Sequence, residues 1–149
     1  GIQMEEKNIY KCARQKSGLT QLKAAELLSI SVETIKTYEN NKRNPSDEII
    51  LMMAKVYKNE YLIYQHFKQK SAASVLLPEI SERNLSSATL TLHRQMKKYI
   101  DHEEKLFDIS SNDKVDEDEV KDFSEILGSL DEIVGAIMSL KFCSNKTEV

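Results

Sequence analysis

Apolar residues in the first 70 positions recur at the three- and four-residue spacing of a helix, in short separate blocks. The first block predicts a helix from about Glu6 to Lys16, which Gly18 ends. Thr20 is a favourable N-cap and predicts the start of a second helix. That pattern stops at Ser29 and restarts at Ser31, so a third helix follows after a very short turn. Two amphipathic helices joined this closely meet at a steep angle, and the outer face of the third helix then projects from the domain.

Two further helices complete the first half of the chain. Ser46 is a favourable N-cap for a fourth helix, and Asp47 and Glu48 suit the positive end of its dipole. A fifth helix is expected from about Glu60 to Lys68. The predicted core positions are Ala24, Ala25, Leu28, Ile30, Ile35, Tyr38, Ile50, Met53, Ala54, Tyr57, Leu62 or Ile63, and Phe67. The five helices form a compact domain, which we place at residues 4–70.

The second half of the chain predicts longer helices. The periodicity is lost across residues 71–85, where Pro78 argues against a helix, and we predict a linker there. One helix from about Ser86 to Phe107 and another from about Glu117 to Phe142 then form a hairpin, which occupies residues 86–143. The whole pattern is that of an all-α protein.

The last helix carries more apolar surface than one neighbouring helix covers. Its apolar positions alternate steps of three and four residues and comprise Val120, Phe123, Leu127, Leu130, Val134 and Ile137. Two hairpins from two chains bury such a stripe in a four-helix bundle, so we expect a homodimer through these residues. The alternative is a hairpin that folds back on its own N-terminal domain.

Composition agrees with a helical protein and adds a difference in charge between the halves. Only 4 glycines and 2 prolines occur in 149 residues, so Gly-rich phosphate loops have little material to form from. Residues 1–70 hold 12 Lys or Arg and 8 Asp or Glu, whereas residues 71–149 hold 9 and 16. The net charges of +4 and −7 favour a polyanionic partner for the first half and another task for the second.

Catalytic and metal chemistry find little support in the sequence. Cys12 and Cys143 have no Cys or His partners at zinc spacing. The three histidines are expected at surface or boundary positions, and we predict neither an enzyme nor a cofactor. No apolar run approaches the roughly 18 residues of a membrane helix, so we expect a cytoplasmic protein without membrane contact. Residues 1–3, which precede Met4, are expected to be an added extension.

Three segments of the first half resemble the Cro/phage-repressor-like helix-turn-helix family, also called the XRE type. They are "ARQKSGLTQLKAAELLSIS", "ETIKTYENNKRNPS" and the apolar spacing of "IILMMAKVY", in the family's order and separation. The resemblance runs from about Ile9 to Phe67 and implies a five-helix, lambda-repressor-like domain that binds double-stranded DNA. Two positions often held by glycine in the family are Ser29 and Asn41 here, and both residues tolerate the turn that glycine adopts.

The family resemblance also implies roles for individual residues. The third helix is expected to enter the major groove and present Ser31, Val32, Glu33, Thr34, Lys36 and Thr37 to the bases. Phosphate contacts are expected from Gln21 at the start of the second helix, and from Asn40, Lys42 and Arg43 after the third. Arg14 and Glu39 stand where the family forms a structural ion pair.

These features predict a sequence-specific transcriptional regulator, a repressor that binds a palindromic operator as a homodimer. One alternative is the antitoxin of a toxin–antitoxin pair, in which the hairpin holds a protein partner and the N-terminal domain regulates its own gene. Another is an interaction module whose helix-turn-helix no longer binds DNA. The operator, the regulated genes and any inducing ligand do not follow from the sequence.

Overall fold

The computed structural model describes residues 7–143, and the elements of that part of the chain are helices, as the sequence predicts. Eight α-helices and one short 3-10 helix occur there. The α-helices are α1 (Ile9–Lys16), α2 (Gln21–Leu28), α3 (Val32–Glu39), α4 (Asp47–Val56), α5 (Tyr61–Lys70), α6 (Leu85–Ile100), α7 (Glu103–Ser110) and α8 (Val120–Lys141). The 3-10 helix spans Ala72–Leu76, inside the segment predicted to be a linker without helix. No helix of residues 7–143 is both long and apolar enough to cross a membrane.

Side-chain caps set where the first four helices begin. The predicted caps Thr20, Ser31 and Ser46 are confirmed, since each accepts a hydrogen bond from the backbone N–H three residues ahead. The first helix begins later than predicted, at Ile9, because Asn8 caps it. The predicted start at Glu6 lies outside the described residues, as do residues 1–3.

The described chain divides into two compact units, with the boundary between Val75 and Leu76. The core of the first unit contains five large side chains that are almost completely buried: Leu28, Ile35, Ile50, Met53 and Leu62. They come from α2, α3, α4 and α5, so one core joins the helices of the predicted helix-turn-helix to those that follow it. This core holds the third helix in place from behind.

Two expectations about α5 are wrong. Phe67 is 42% exposed, whereas Tyr64 and His66 of the same helix are buried. His66 therefore lies in the interior rather than at the surface, where its Nδ1 is 2.7 Å from the Oη of Tyr10. Burial lowers the pKa of His66, and burial also raises the pKa of Tyr10 to about 12.

Both residues that stand where the family often has glycine adopt the left-handed conformation. Ser29 has φ 55° in the turn between α2 and α3, and Asn41 has φ 59° just after α3. The left-handed region is unfavourable for a residue with a Cβ but is visited by short polar residues. Ile30, between the two helices, packs partly buried against the core.

In the second unit α6 packs along α8. Lys98 lies near Glu132 and Lys105 near Asp122, so the two segments run antiparallel, as a hairpin does. The predicted single helix over 86–107 is wrong, because the chain turns at Asp101 and His102 and α7 starts anew at Glu103. His102 has φ −123° and ψ 5°, outside the helical region, and this ends the helical run.

The face of α8 that the second unit buries differs from the predicted apolar stripe. Ile133, Gly135, Ala136 and Ser139 are buried. Part of their cover is the segment before α6: Ser139 donates to the carbonyl of Ser81 at 3.0 Å, and a Cβ on Gly135 would lie 3.3 Å from the carbonyl oxygen of Glu79. Gly135 and Ser139 of α8 therefore face this segment.

Candidate nucleic-acid interface

The third helix presents one face to solvent and anchors the other in the core. Its buried residues are Ile35, Tyr38 and Glu39. Of the six residues predicted to contact bases, Ser31, Glu33 and Lys36 are exposed, and Val32, Thr34 and Thr37 are half-buried. The structure thus places all six on or beside the outer face of one helix, and Val32 also packs against the core.

Polar groups on this outer face are paired with one another. The hydroxyls of Ser31 and Thr34 lie 2.8 Å apart, and Thr37 Oγ1 donates to the carbonyl of Thr34 at 2.7 Å. Lys36 Nζ lies 3.2 Å from Glu33 Oε1. Exposed pairs of this kind contribute little to stability, so they separate at low cost when another polar partner approaches.

A buried ion pair joins α1 to the last residue of α3. Arg14 donates its Nε and Nη2 to the two carboxylate oxygens of Glu39, the latter at 3.0 Å, and its Nη1 donates to the carbonyl of Leu19 at 2.7 Å. Both side chains are almost fully buried, and the hydrogen bond to Glu39 is the main cause that raises the pKa of Arg14. Such a fork-shaped pair fixes how the helices meet.

The same carboxylate also holds Gln21, a contact that the sequence did not indicate. Gln21 Nε2 donates to Glu39 Oε2 at 2.9 Å. Gln21 is the first residue of α2, where backbone N–H groups have no partner within the helix and can bind an anion. Its side chain is therefore oriented from behind by Glu39 rather than left to rotate.

The segment after α3 carries the other residues predicted to bind phosphate. Asn40, Lys42 and Arg43 are all exposed. The backbone N–H groups of Lys42 and Arg43 donate to the carbonyl of Thr37 at 3.0 and 3.3 Å, which folds the segment back over the end of α3. A left-handed residue followed by such a hydrogen bond is the Schellman motif, which ends many helices.

A second residue that the sequence analysis missed supports this segment from α1. Asn8 Nδ2 donates to the carbonyl of Tyr38 at 2.8 Å and to Oδ1 of Asn41 at 2.9 Å. An asparagine just before an amphipathic block is recognisable as a cap, but nothing local marks a contact with residues 30 and 33 positions away. The structure thus adds Asn8 to the residues that shape the candidate interface.

Comparisons with known proteins point to the same part of the chain. A family model described as "Helix-turn-helix" matches residues 12–61. The chain is similar to the HTH-type transcriptional regulator ImmR of Bacillus subtilis (strain 168), with 33% identity over 73 residues. That alignment covers 47% of this chain and 58% of ImmR, so the chain matches little more than half the length of its curated relative. No solved structure matches the chain significantly.

The matched segment contains α2, the left-handed turn at Ser29 and α3, together with both partners of the buried ion pair. Two helices joined by a tight turn are the arrangement that the name of the matched family describes. Residues 12–61 match the helix-turn-helix family model, and the geometry of α2, the turn at Ser29 and α3 agrees with that match.

Proposed function

We propose that this protein is a DNA-binding transcriptional regulator whose α3 enters the major groove. The observation that carries the proposal is the two-sided character of α3: Ile35 and Tyr38 anchor it in the core, while its outer face carries short polar and β-branched side chains. A major groove admits one helix, and side chains on the outer face of that helix read base edges. The relative is named as a transcriptional regulator, which supports this role.

The residue roles follow from this placement. Ser31, Val32, Glu33, Thr34, Lys36 and Thr37 face the bases; Gln21, Asn40, Lys42 and Arg43 bind phosphates on either side. Val32 and the threonine methyls suit thymine methyl groups, and Glu33 suits the amino group of cytosine. Pairing with Lys36 offsets part of the repulsion between Glu33 and the phosphates.

A homodimer through the second unit is the second part of the proposal. Val120, Leu127, Val134 and Ile137 of the predicted interface are 52%, 45%, 44% and 41% exposed, and Phe123 and Leu130 are half-buried. At 3.6 residues per turn these six residues share one flank of α8, beside the face that packs on α6. In an antiparallel pair the matching flank of α6 points to the same side, and it carries Leu85, Met96 and Ile100, which are also exposed.

A second copy of the chain is the occupant that this flank fits best. The six α8 positions are all apolar, so the surface is complementary to itself across a twofold axis, and a charged partner gains nothing from it. The opposite flank of α8 is already covered by the segment before α6, where Ser139 of α8 donates to the carbonyl of Ser81. Two hairpins paired in this way form a four-helix bundle.

A symmetric dimer presents two recognition helices to one face of DNA. Half-sites one helical turn apart, about 34 Å, then form a palindromic operator. Linking two weak sites raises the overall affinity, and occupation of a promoter by such a dimer represses transcription. The acidic second unit contributes dimerisation rather than DNA contact.

The DNA-binding role is tested by selecting bound duplexes from a random pool and comparing two variants on the selected site. Lys42→Ala removes a phosphate contact, so it weakens binding to selected and random duplexes alike and lowers the slope of log K against log salt by about one. Thr37→Ala changes the selected sequence with a smaller effect on random DNA. The role assignment fails when the two variants behave alike on both kinds of duplex.

The dimer is tested by sedimentation. Leu127→Asp or Leu130→Asp places a charge in the proposed interface and yields monomers, because an unpaired buried carboxylate is very unfavourable. Leu90→Asp is the matched control: Leu90 is 61% exposed on the side of α6 away from α8, and its variant stays dimeric. A dimer that survives Leu127→Asp rules out this interface.

The antitoxin alternative uses the helical hairpin in another way, through its acidic residues as well as its apolar flank. The excess of acidic residues after residue 70 suits a basic partner protein, which the hairpin would hold in place of a second copy. Co-purification of a small basic protein with the wild type, and its loss in Leu127→Asp, would favour that alternative. A homodimer with no such partner favours the repressor.

A further inference from the structure

Asn8 makes three hydrogen bonds with one carboxamide group. Its Oδ1 accepts from the backbone N–H of Lys11 at 2.8 Å, which caps α1. Its Nδ2 donates to the carbonyl of Tyr38 at 2.8 Å and to Oδ1 of Asn41 at 2.9 Å. A carboxamide offers two N–H donors and one acceptor oxygen, so all three functions are used here. A residue needed only as a cap would use the oxygen alone.

The two acceptors lie on either side of the point where α3 ends. The carbonyl of Tyr38 belongs to the last turn of α3, where carbonyls lack a partner within the helix. Asn41 is the left-handed residue that turns the chain, and the next backbone N–H, of Lys42, closes on Thr37 at 3.0 Å. Asn8 thus joins the end of α3 to the left-handed residue of the turn with a single side chain.

We propose that Asn8 is a positioning residue for the phosphate-binding segment Asn40–Arg43. It holds the backbone of this segment in its DNA-bound conformation before DNA arrives, so that Lys42 and Arg43 extend from a fixed base. A segment already ordered loses less conformational entropy when it binds. The inference rests on the proposed DNA-binding function, to which it adds the residue that orders the phosphate contacts.

Asn8 itself faces inward to these partners, and its effect passes through the segment. The side chains of an exposed loop are mobile, but an anchored backbone limits the positions that they reach. Glu39 does the same for Gln21 on the other side of α3, at 2.9 Å. Each proposed phosphate site is therefore supported by one polar side chain from behind.

Asn8→Ser separates the cap from the positioning role. Serine is as good an N-cap as asparagine, so α1 keeps its start. Its hydroxyl is shorter and carries one donor instead of two, so the bonds to Tyr38 and Asn41 are lost. Asn84→Ser is the matched control, because Asn84 caps α6 in the second unit through the same bond, from Ser87 N–H at 2.8 Å.

The experiment measures binding to a random-sequence duplex at several salt concentrations. We expect Asn8→Ser to bind about three- to tenfold more weakly than the wild type, the range set by one or two hydrogen bonds. We also expect its slope of log K against log salt to fall by about one, since an unfixed segment neutralises fewer phosphates. Asn84→Ser keeps the wild-type affinity and slope.

Two further measurements make the result specific. Asn41→Gly keeps the left-handed turn but removes the acceptor, so the double variant Asn8→Ser/Asn41→Gly binds no more weakly than Asn8→Ser alone. Additive losses contradict the proposal. Hydrogen exchange at the Lys42 amide, measured without DNA, is faster in Asn8→Ser than in the wild type.

The outcomes separate the positioning role of Asn8 from the proposed DNA-binding function. A wild type that binds DNA while Asn8→Ser shows unchanged affinity, slope and exchange overturns the positioning role and leaves the proposed function standing. A wild type that binds no duplex overturns the proposed function, and the role of Asn8 in DNA binding falls with it.

Discussion

The two units of the chain bury apolar side chains in different ways. In the first unit five large side chains from four helices are almost fully buried, although its surface also carries exposed residues such as Leu22 and Leu51. The second unit buries fewer apolar residues than the first, and several of them are small. They are Ala88, Ile109, Ile133, Ala136 and Cys143. The first unit has a core of its own, whereas the second unit is a hairpin with an uncovered apolar flank.

Polar interactions show the same contrast. The ion pair of the first unit is buried and forked, and it shares a carboxylate with Gln21. The interhelical pairs of the second unit, such as Lys105 with Asp122, have half-exposed side chains. The first unit is therefore joined by a buried polar pair and the second by exposed ones. The following substitutions test this contrast, from the largest expected effect to the smallest.

Arg14→Leu is expected to have the largest effect. It leaves Glu39 buried without its main partner, and the free energy of unfolding falls by about 3–5 kcal/mol. Lys105→Ala removes one partner of an exposed pair in the second unit and costs about 0–1 kcal/mol. Urea denaturation of both variants measures the difference, and comparable losses would contradict the contrast in burial.

Ile50→Ala tests the core of the first unit. Removing this fully buried side chain leaves a cavity and lowers the free energy of unfolding by about 2–5 kcal/mol. Its neighbour Leu51 is 58% exposed on the same helix, and Leu51→Ala changes the same quantity by no more than about 0.5 kcal/mol. A large loss for Leu51→Ala would show that a further surface covers α4.

Val134→Ala tests whether the exposed apolar flank of α8 becomes buried in a dimer. In a monomer the loss is small, because Val134 is half exposed. In the proposed dimer it is buried, and removal of two carbon atoms costs about 1–2 kcal/mol per chain. Thermal denaturation over a range of protein concentrations distinguishes the cases: a midpoint that rises with concentration supports the dimer, and one that stays constant opposes it.

The smallest effect is the pH dependence that His66 brings to the first unit. Burial lowers the pKa of His66 below its ordinary value of 6.5, while the nearby Asp47 partly opposes this shift. As the pH falls through the ordinary value, the unfolded chain binds a proton before the folded one does, so the free energy of unfolding decreases. The decrease continues until the folded protein is protonated as well.

His66→Gln removes this contribution. The wild type is expected to lose more stability than His66→Gln between about pH 7.5 and pH 5, measured by urea denaturation at each pH. Parallel pH profiles for the two proteins would mean that His66 has the same proton affinity in both states.

The sequence predicted much of the first unit because its signals are local. Thr20, Ser31 and Ser46 mark helix starts by their own chemistry, and each cap is satisfied within three residues. The break at Asp101 and His102 was missed because the apolar spacing continues across it. Periodicity reports which residues share a face, and it does not reveal whether the backbone stays helical between them.

The candidate interface was predictable only in outline. The outer residues of α3 follow from helical spacing, but the contacts of Asn8 with the end of α3 and of Gln21 with Glu39 join separate elements. The burial of His66 likewise depends on Tyr10 in another helix. Such contacts follow from the packing of distant elements, which local patterns in the sequence do not reveal.

Ser29 and Asn41, the two left-handed residues that bracket α3, differ in what their side chains contribute. Glycine at position 29 would relieve about 1 kcal/mol of backbone strain but would add a similar amount of entropy to the unfolded chain, so the exchange is nearly neutral. Asn41 holds its conformation and also accepts a bond from Asn8. Within the described part of the chain, replacement of Ser29 by glycine therefore removes no side-chain hydrogen bond, whereas replacement of Asn41 by glycine also removes the acceptor of a bond from Asn8.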